Sequence, residues 1–279
     1  MADVKTPLRG IFVINTGLNL PAPRAAQMLQ AQGAHIVKVE PPTGDTFEHF
    51  CKPWYEDLHR GVEVRRIDLK SEAGREAMAA LLARAHILIT SQRPSALTRM
   101  GLDPAILRHR YPRLAIVNIV GSPEAGAEVP GHDLTYQARA GLIAPPHLPR
   151  SLYADLAGAQ QAVIAALALL HAGGGVQQVA LSRSAELFHE PLAYGMTREG
   201  DFLGGAHAGY NIYETRDGYI ALAALEHAFW LRLADRVLNL PKDPLAPEAH
   251  RILAEGFLRH DTADWVAWAR AHDVPLEAI

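Results

Sequence analysis

Cysteine is almost absent from this chain of 279 residues, because Cys51 is the only one. An intramolecular disulfide is therefore excluded, which fits a reducing compartment. The N-terminal residues Met-Ala-Asp-Val-Lys-Thr-Pro contain no apolar signal core. The longest apolar segment, Ala162 to Leu170, is too short to span a bilayer. These absences predict a cytoplasmic protein with no membrane partner.

Basic runs and metal-binding motifs are also missing. The net charge is −3 and no long stretch of Lys or Arg occurs, so we expect no nucleic-acid partner. The 14 histidines are scattered and show no zinc-type spacing, so no metal site is predicted. The length and the hydrophobic content of 49% suffice for a sizeable core and for one or two domains.

A dinucleotide-binding glycine pattern is lacking as well. The turn after the first predicted strand, Asn15 to Pro21, contains the single glycine Gly17, whereas a nucleotide fingerprint needs three. NAD and FAD are therefore rejected, and no tightly bound cofactor is expected.

The first 121 residues alternate between strand and helix patterns. Short apolar runs bounded by Gly or Pro predict strands, and runs with helical periodicity separate them. The predicted strands are Gly10–Asn15, Ala34–Glu40, His86–Thr90 and Leu114–Val120, and the predicted helices are Pro23–Gln32, Ser71–Ala85 and one opened by Asp103-Pro104. This alternation predicts an α/β fold whose parallel sheet is covered on both faces.

The second half of the chain is organised differently. Residues 121–150 are mostly loop around a short helix, and Asp155 is expected to cap a helix that ends near His171. The triple glycine that follows is interpreted as a helix stop and turn. A domain boundary is placed at Gly204-Gly205. Beyond it, an Asp-Gly hairpin and three helices predict a small α+β domain over residues 205–279.

Two short segments carry groups suited to proton transfer. Gly131-His132-Asp133 places a histidine in a Pro/Gly turn, and Asp155 follows 22 residues after Asp133 at the start of an apolar helix. Histidine titrates near neutrality, and a helix start favours a carboxylate. The alternatives are that Asp155 serves only as a helix cap and that His132 is only a turn residue.

The two segments resemble the class III CoA-transferase family (CaiB/BaiF type), and the Gly-His-Asp motif resembles its α-methylacyl-CoA racemase branch. Weaker similar segments occur in order along the chain: Pro7–Ile11, Gly33–Pro42, His59–Lys70, Arg93–Leu102, Tyr111–Leu114 and Tyr213–Glu226. The resemblance implies the CoA-transferase family III fold, with a Rossmann-like large domain over residues 1–204 and the smaller domain over 205–279. It also implies an interlocked homodimer and a coenzyme A thioester as substrate. The sequence ends soon after Asp273-Val274-Pro275, so the C-terminal return to the large domain is expected to be lacking.

The resemblance also implies roles for particular residues. Asp155 and His132 are the expected catalytic groups, and Asp133 or Glu226 could orient His132. Contacts to the CoA thioester are expected from Ile67, Asp68, Leu69, Lys70, Gly131 and Tyr136. Lys38 and Arg93 are interpreted as contacts to phosphate or adenine, with a solvated surface charge as the alternative. Separately from the resemblance, the many apolar residues of the small domain, among them Trp230, Trp265 and Trp268, are expected to bury against a partner subunit, while the helical spacing of Trp265 and Trp268 favours the core over a binding platform.

Three functions remain open at this point. Racemisation of a 2-methylacyl-CoA needs two bases on opposite faces of the α-carbon, which His132 and Asp155 supply. CoA transfer to a carboxylate through an aspartyl-CoA intermediate needs Asp155 but not His132. A shortened, non-catalytic homologue would need neither. The presence of His132 favours the racemase.

Overall fold

The computed structural model describes residues 6–279, which form two compact units. The first unit ends at His189, and the second comprises Glu190–Ile279. The N-terminal residues used above to exclude a signal peptide lie partly outside the described residues.

A six-stranded parallel sheet organises the first unit. Its strands are β1 (Phe12–Asn15), β2 (His35–Glu40), β3 (Glu63–Arg66), β4 (Ile87–Thr90), β5 (Ala115–Val120) and β6 (Gly175–Ala180). The spatial order is β3-β2-β1-β4-β5-β6, so the chain reverses its direction of winding between β1 and β4. In such a sheet the carboxyl ends of the strands at this switch point form a crevice.

The helices of the first unit connect these strands. They are α1 (Pro21–Ala31), α2 (Phe47–Phe50), α3 (Lys52–Leu58), α4 (Glu72–Leu82), α5 (Pro94–Arg99), α6 (Pro104–Arg110), α7 (Asp133–Arg139), α8 (Tyr153–His171) and α9 (Leu181–Glu186). Side-chain caps fix two of the starts: Ser71 accepts a hydrogen bond from the backbone of Gly74, and Asp103 accepts from Ala105 and Ile106.

Alternate residues of the strands pack into two cores on opposite faces of the sheet. Val13 lies in one core with the alanines of α1 and α8, and Ile14 lies in the other with α4 and α6. This arrangement confirms the predicted α/β fold with a parallel sheet. Among the described helices, α8 alone is long and apolar enough to cross a membrane by length and composition. Its residues Ala159, Ala162 and Ala166 are buried in the first core, as in a core helix of a sheet protein.

The second unit contains a three-stranded antiparallel sheet and a separate core. The strands β7 (Tyr210–Glu214), β8 (Tyr219–Ala223) and β9 (Leu276–Ala278) stand in that order. The helices are α10 (Glu190–Ala193), α11 (His227–Arg236), α12 (Pro247–Phe257) and α13 (Thr262–Ala271). The hairpin and the three long helices match the sequence prediction.

The tryptophans of this unit lie in its own core. Trp230 and Trp265 are each only 2% exposed, and Trp268 packs beside them in the core of the unit itself. The interpretation of Trp265 and Trp268 as core residues is confirmed, and the expectation that these tryptophans are buried against a second subunit is wrong, because α11, α12 and α13 already cover them.

The unit boundary also differs in position from the predicted one. Gly204-Gly205 lies inside a π-helical turn, Phe202–Ala206, that belongs to the second unit. The ring of His207 packs against Phe202 and Trp230, and His250 hydrogen-bonds the carbonyl of Ala206 at 3.0 Å. These contacts tie the glycine turn to the second core.

Candidate active site

A cleft of about 170 Å³ opens at the carboxyl ends of β1, β4 and β5, at the switch point of the sheet. Five of the residues singled out in the sequence line it together: Arg93, Gly131, His132, Tyr136 and Asp155. The loops after β1 and β4 add Leu18, Asn19, Ser91 and Gln92 to its walls, and Pro21 at the start of α1 also lines it. Sequence reasoning missed these loop residues, although their position directly after buried strands was a usable signal.

Asp155 lies in the first turn of α8, as its third residue. The N-cap is Leu152, so the interpretation of Asp155 as a simple helix cap is wrong. Within residues 6–279 no hydrogen bond reaches its carboxyl, which faces the cleft. Burial, and secondly the charge of Asp133, raise the pKa of Asp155 from 3.8 to about 7. This carboxyl can therefore both accept and donate a proton near neutrality.

Asp133 supports Asp155 rather than His132. Its side chain is 4% exposed, and its carboxylate accepts a hydrogen bond from the backbone N–H of Asp155 at 3.1 Å and another from Nε2 of Gln137. Gln137 in turn donates to the carbonyl of Ser151, on the approach to α8, at 2.9 Å. The suggestion that Asp133 orients His132 is thus not supported, because its oxygens are engaged elsewhere.

His132 is an exposed residue at the N-cap of α7 and lines the cleft. Thr135 Oγ1 fixes its backbone by accepting from the His132 N–H at 3.1 Å and donating to its carbonyl at 2.7 Å. Its backbone is therefore anchored while its side chain stays open to the cleft.

Tyr136 occupies a space that two glycines leave free. A Cβ atom on Gly131 would lie 2.6 Å from the Tyr136 hydroxyl, and one on Gly121 would lie 2.2 Å from it. The ring is 3% exposed and lines the cleft. Burial, and secondly the charge of Asp155, raise the pKa of the phenol, so it faces the cleft as a protonated donor.

Arg93 is an exposed cation at the edge of the cleft. It precedes α5, but the start of this short helix is already occupied by Glu128, whose carboxylate accepts from the N–H of Ser95 at 2.7 Å and from its hydroxyl at 2.9 Å. These bonds hold the pKa of Glu128 below its ordinary value. A phosphate at this edge would therefore meet the guanidinium of Arg93 and not the helix start.

Lys38 does not reach the cleft or the solvent. Its side chain is fully buried, and Nζ donates to the carbonyl of Gly17 at 2.6 Å and to Asp45 Oδ2 at 2.9 Å. Burial lowers its pKa, against the opposing effect of Asp45. The prediction that Lys38 contacts phosphate or adenine is not supported, because its ammonium group is buried and hydrogen-bonded to Gly17 and Asp45. Asp45 also accepts from the backbone of Asn19, so the pair holds the β1 loop that lines the cleft.

The segment after β3 stands at the same edge of the sheet but does not line the cleft. Leu69 is buried in the core beside α4, which removes it as a CoA contact. Ile67 is partly buried, and Asp68 turns back to accept from the N–H of Lys70 at 3.0 Å. Asp68 and Lys70 are exposed but do not line the cleft, and their expected contact with the CoA thioester stays a prediction.

Glu226 belongs to the second unit, where it is exposed at the N-cap of α11. Its backbone carbonyl accepts from Phe229 and Trp230. Its suggested role beside His132 stays a prediction.

The comparisons with known proteins agree with this architecture. Residues 8–279 match the family model of CoA-transferase family III. The chain is 27% identical to the α-methylacyl-CoA racemase of Mus musculus, over 92% of this chain and 74% of that protein. It is 31% identical to the cinnamoyl-CoA:phenyllactate CoA-transferase of Clostridium sporogenes, over 48% of this chain and 36% of that protein. A solved hypothetical protein (Rv3272) from Mycobacterium tuberculosis has the same fold, with a TM-score of 0.84, 24% identity, and coverage of 97% of this chain and 83% of that one.

The chain therefore belongs to CoA-transferase family III. The sequence resemblance to this family and the predicted family fold are both confirmed. It is an enzyme of the racemase or CoA-transferase type. Of the two relatives, one is named a racemase and the other a CoA-transferase.

Proposed function

We propose that the protein transfers the α-proton of a 2-methylacyl-CoA thioester and thereby interconverts its epimers. One observation carries the proposal: the carboxyl of Asp155, with no hydrogen-bond partner among residues 6–279 and a pKa of about 7, lines the same cleft as the side chain of His132. A proton carrier works best when its pKa lies near the working pH.

The reaction needs a base and an acid on opposite faces of the α-carbon. One group removes the α-proton, the charge moves to the thioester oxygen, and the other group returns a proton to the opposite face. Asp155 and His132 exchange these roles with the direction of reaction. The backbone N–H of Asp155 is bonded to Asp133, so it is not free to hold the enolate oxygen. The phenol of Tyr136 is a donor available in the cleft.

CoA transfer is the second candidate, and the similarity to a named CoA-transferase favours it. In that reaction the Asp155 carboxylate attacks the acyl-CoA carbonyl and releases the CoA thiolate, giving a mixed anhydride. The thiolate then attacks the aspartyl carbonyl of this anhydride, which expels the donor's carboxylate and leaves an aspartyl-CoA thioester. Both reactions start from the ionised carboxyl of Asp155, so its pKa of about 7 does not separate them. We prefer proton transfer because His132 lines the same cleft, and CoA transfer does not need this residue.

Deuterium exchange separates the candidates. The protein is incubated with a 2-methylacyl-CoA in deuterated water, with and without a free carboxylate acceptor, and the products are analysed by mass spectrometry. A racemase incorporates deuterium at the α-carbon without an acceptor, and Asp155→Asn and His132→Ala each reduce the epimerisation rate by orders of magnitude. A transferase forms a new thioester only with the acceptor, loses activity in Asp155→Asn, and keeps most of it in His132→Ala.

A matched control uses His171→Ala, since His171 is an exposed residue in the last turn of the same helix α8. Its rates should equal those of the unmodified protein. Deuterium uptake that persists unchanged in both cleft variants would refute the assigned pair. Absence of both activities in the unmodified protein would refute both candidates.

A further inference from the structure

A second cavity, of about 270 Å³, lies wholly within the second unit. Its walls come from the end of α11 and the loop that follows, from one face of α12, and from Trp265 of α13. Three arginines line it, namely Arg236, Arg251 and Arg259. We call this cavity the arginine pocket.

The arginine pocket carries positive charge that its own residues do not neutralise. Arg251 pairs with Glu255, the pocket's single carboxylate, at 2.7 Å. Within residues 6–279, Arg236 and Arg259 form no ion pair with a carboxylate, and both residues are exposed. Water screens their charges in the free protein, and an anion that lies between them would interact with both guanidinium groups. The charge pattern is therefore that of an anion site.

One of these arginines is already held in place. The guanidinium of Arg236 lies 5.5 Å from the ring centroid of Trp265, and its Nη2 is 3.4 Å from Nε2 of His260. Trp265 is itself fixed by a hydrogen bond of 2.8 Å from Nε1 to the carbonyl of Phe257. These contacts restrict the exposed side chain of Arg236, so less side-chain entropy is lost on binding.

We propose that the arginine pocket binds a phosphate group. Guanidinium groups present paired N–H donors that match the oxygens of a phosphate, and two unneutralised cations suit a dianion better than a single carboxylate. The volume exceeds that of a phosphate alone, so a phosphate ester also fits. The source of the phosphate is either a free phosphate ion or a phosphorylated metabolite such as coenzyme A.

Isothermal calorimetry with inorganic phosphate on the whole protein tests the proposal. The pair of substitutions Arg236→Ala and Arg259→Ala should weaken phosphate binding at least tenfold. Glu255→Gln should strengthen it several-fold, because Arg251 is then released toward the ligand. The matched control is Arg216→Ala, whose guanidinium is paired with Asp261 and lies outside the pocket.

A titration with coenzyme A and with dephospho-coenzyme A identifies the source. If the pocket takes the 3′-phosphate of CoA, the double variant weakens CoA binding and leaves dephospho-CoA binding unchanged. If it takes free phosphate, only phosphate binding changes. Should the double variant misfold, Arg259→Ala alone replaces it, since no hydrogen bond or ion pair of that side chain is found within residues 6–279. No phosphate binding by the unmodified protein at millimolar concentration, or equal affinity in the variants and the control, would overturn the proposal.

Discussion

Replacing Asp155 by Asn should make the protein more stable at neutral and alkaline pH. The folded protein holds the Asp155 proton up to a pKa of about 7, whereas the ordinary value is 3.8. Between these values the folded state binds more protons than the unfolded chain, so its stability falls as the pH rises. Asparagine has a similar shape and cannot ionise, so the variant escapes this loss.

The magnitude follows from the same two values. One pKa unit corresponds to about 1.4 kcal/mol, so the ionised carboxyl costs the folded state up to about 4 kcal/mol above pH 7. Water in the cleft screens part of that charge, and we expect a measured gain of about 1–3 kcal/mol. At pH 4 the carboxyl of the folded protein is protonated and the gain should nearly vanish. The gain should therefore appear between about pH 4 and pH 7.

Urea unfolding of both proteins at pH 4.5 and pH 8 measures this difference, provided that the unfolding of the first unit is followed. The control variant is Asp235→Asn, at an exposed position of α11, which should show no such pH dependence. An equal gain at both pH values would mean that the aspartate is merely a poor fit for its site. No gain at pH 8 would mean that its pKa is not raised, and would refute the argument for proton transfer.

Three further predictions concern the cleft and its surroundings. Arg93→Ala should weaken CoA binding about tenfold or more and reduce the salt dependence of that binding in calorimetry. The control Arg183→Ala, at an exposed arginine that does not line the cleft, should leave both unchanged. Unchanged affinity in Arg93→Ala would remove Arg93 from the site. Asp45→Ala should lower the free energy of unfolding by about 3–5 kcal/mol, because Lys38 is left as a buried, unpaired cation; a loss below 1 kcal/mol would contradict the buried ion pair. The protein should be a homodimer by light scattering at micromolar concentration. Ile164→Arg should dissociate the dimer, since this side chain is 59% exposed on the apolar helix α8. A monomeric unmodified protein would refute this prediction.

The parallel sheet was largely predictable because its central strands are continuous apolar runs. β1, β2, β4 and β5 lie within two residues of the predicted limits. β3 was missed because it is an edge strand whose residues Glu63–Arg66 are all exposed, so it has no apolar pattern. β6 was missed because it starts at Gly175, inside the triple glycine that was interpreted as a turn only. Gly173 and Gly174 do form that turn, with φ angles of +80° and +119°.

Site residues that lie in a short motif were predicted correctly. The prediction failed for residues whose burial depends on distant parts of the chain. His132, Asp155, Gly131 and Tyr136 were found through short segments, and the structure brings them to one cleft. Lys38 is buried because its ammonium group donates to Asp45 and to the carbonyl of Gly17, which lies 21 residues earlier. Nothing local in the strand sequence around Lys38 distinguishes a buried lysine from one at the surface. A single charged residue in a predicted strand is therefore a weak indicator of ligand contact.

The contact between Asp133 and the start of α8 physically couples the two sequence motifs of this chain. The carboxylate of Asp133 fixes the backbone of Asp155 through a hydrogen bond, and its negative charge helps to keep the Asp155 carboxyl protonated. A neutral residue of the same shape would supply the first effect without the second. The first motif therefore does more than present His132, since it also sets the position and the proton affinity of the carboxyl in the second. The start of α7 therefore has two roles in a reaction that uses both groups. It presents His132 to the cleft and, through Asp133, it controls Asp155 at the start of α8.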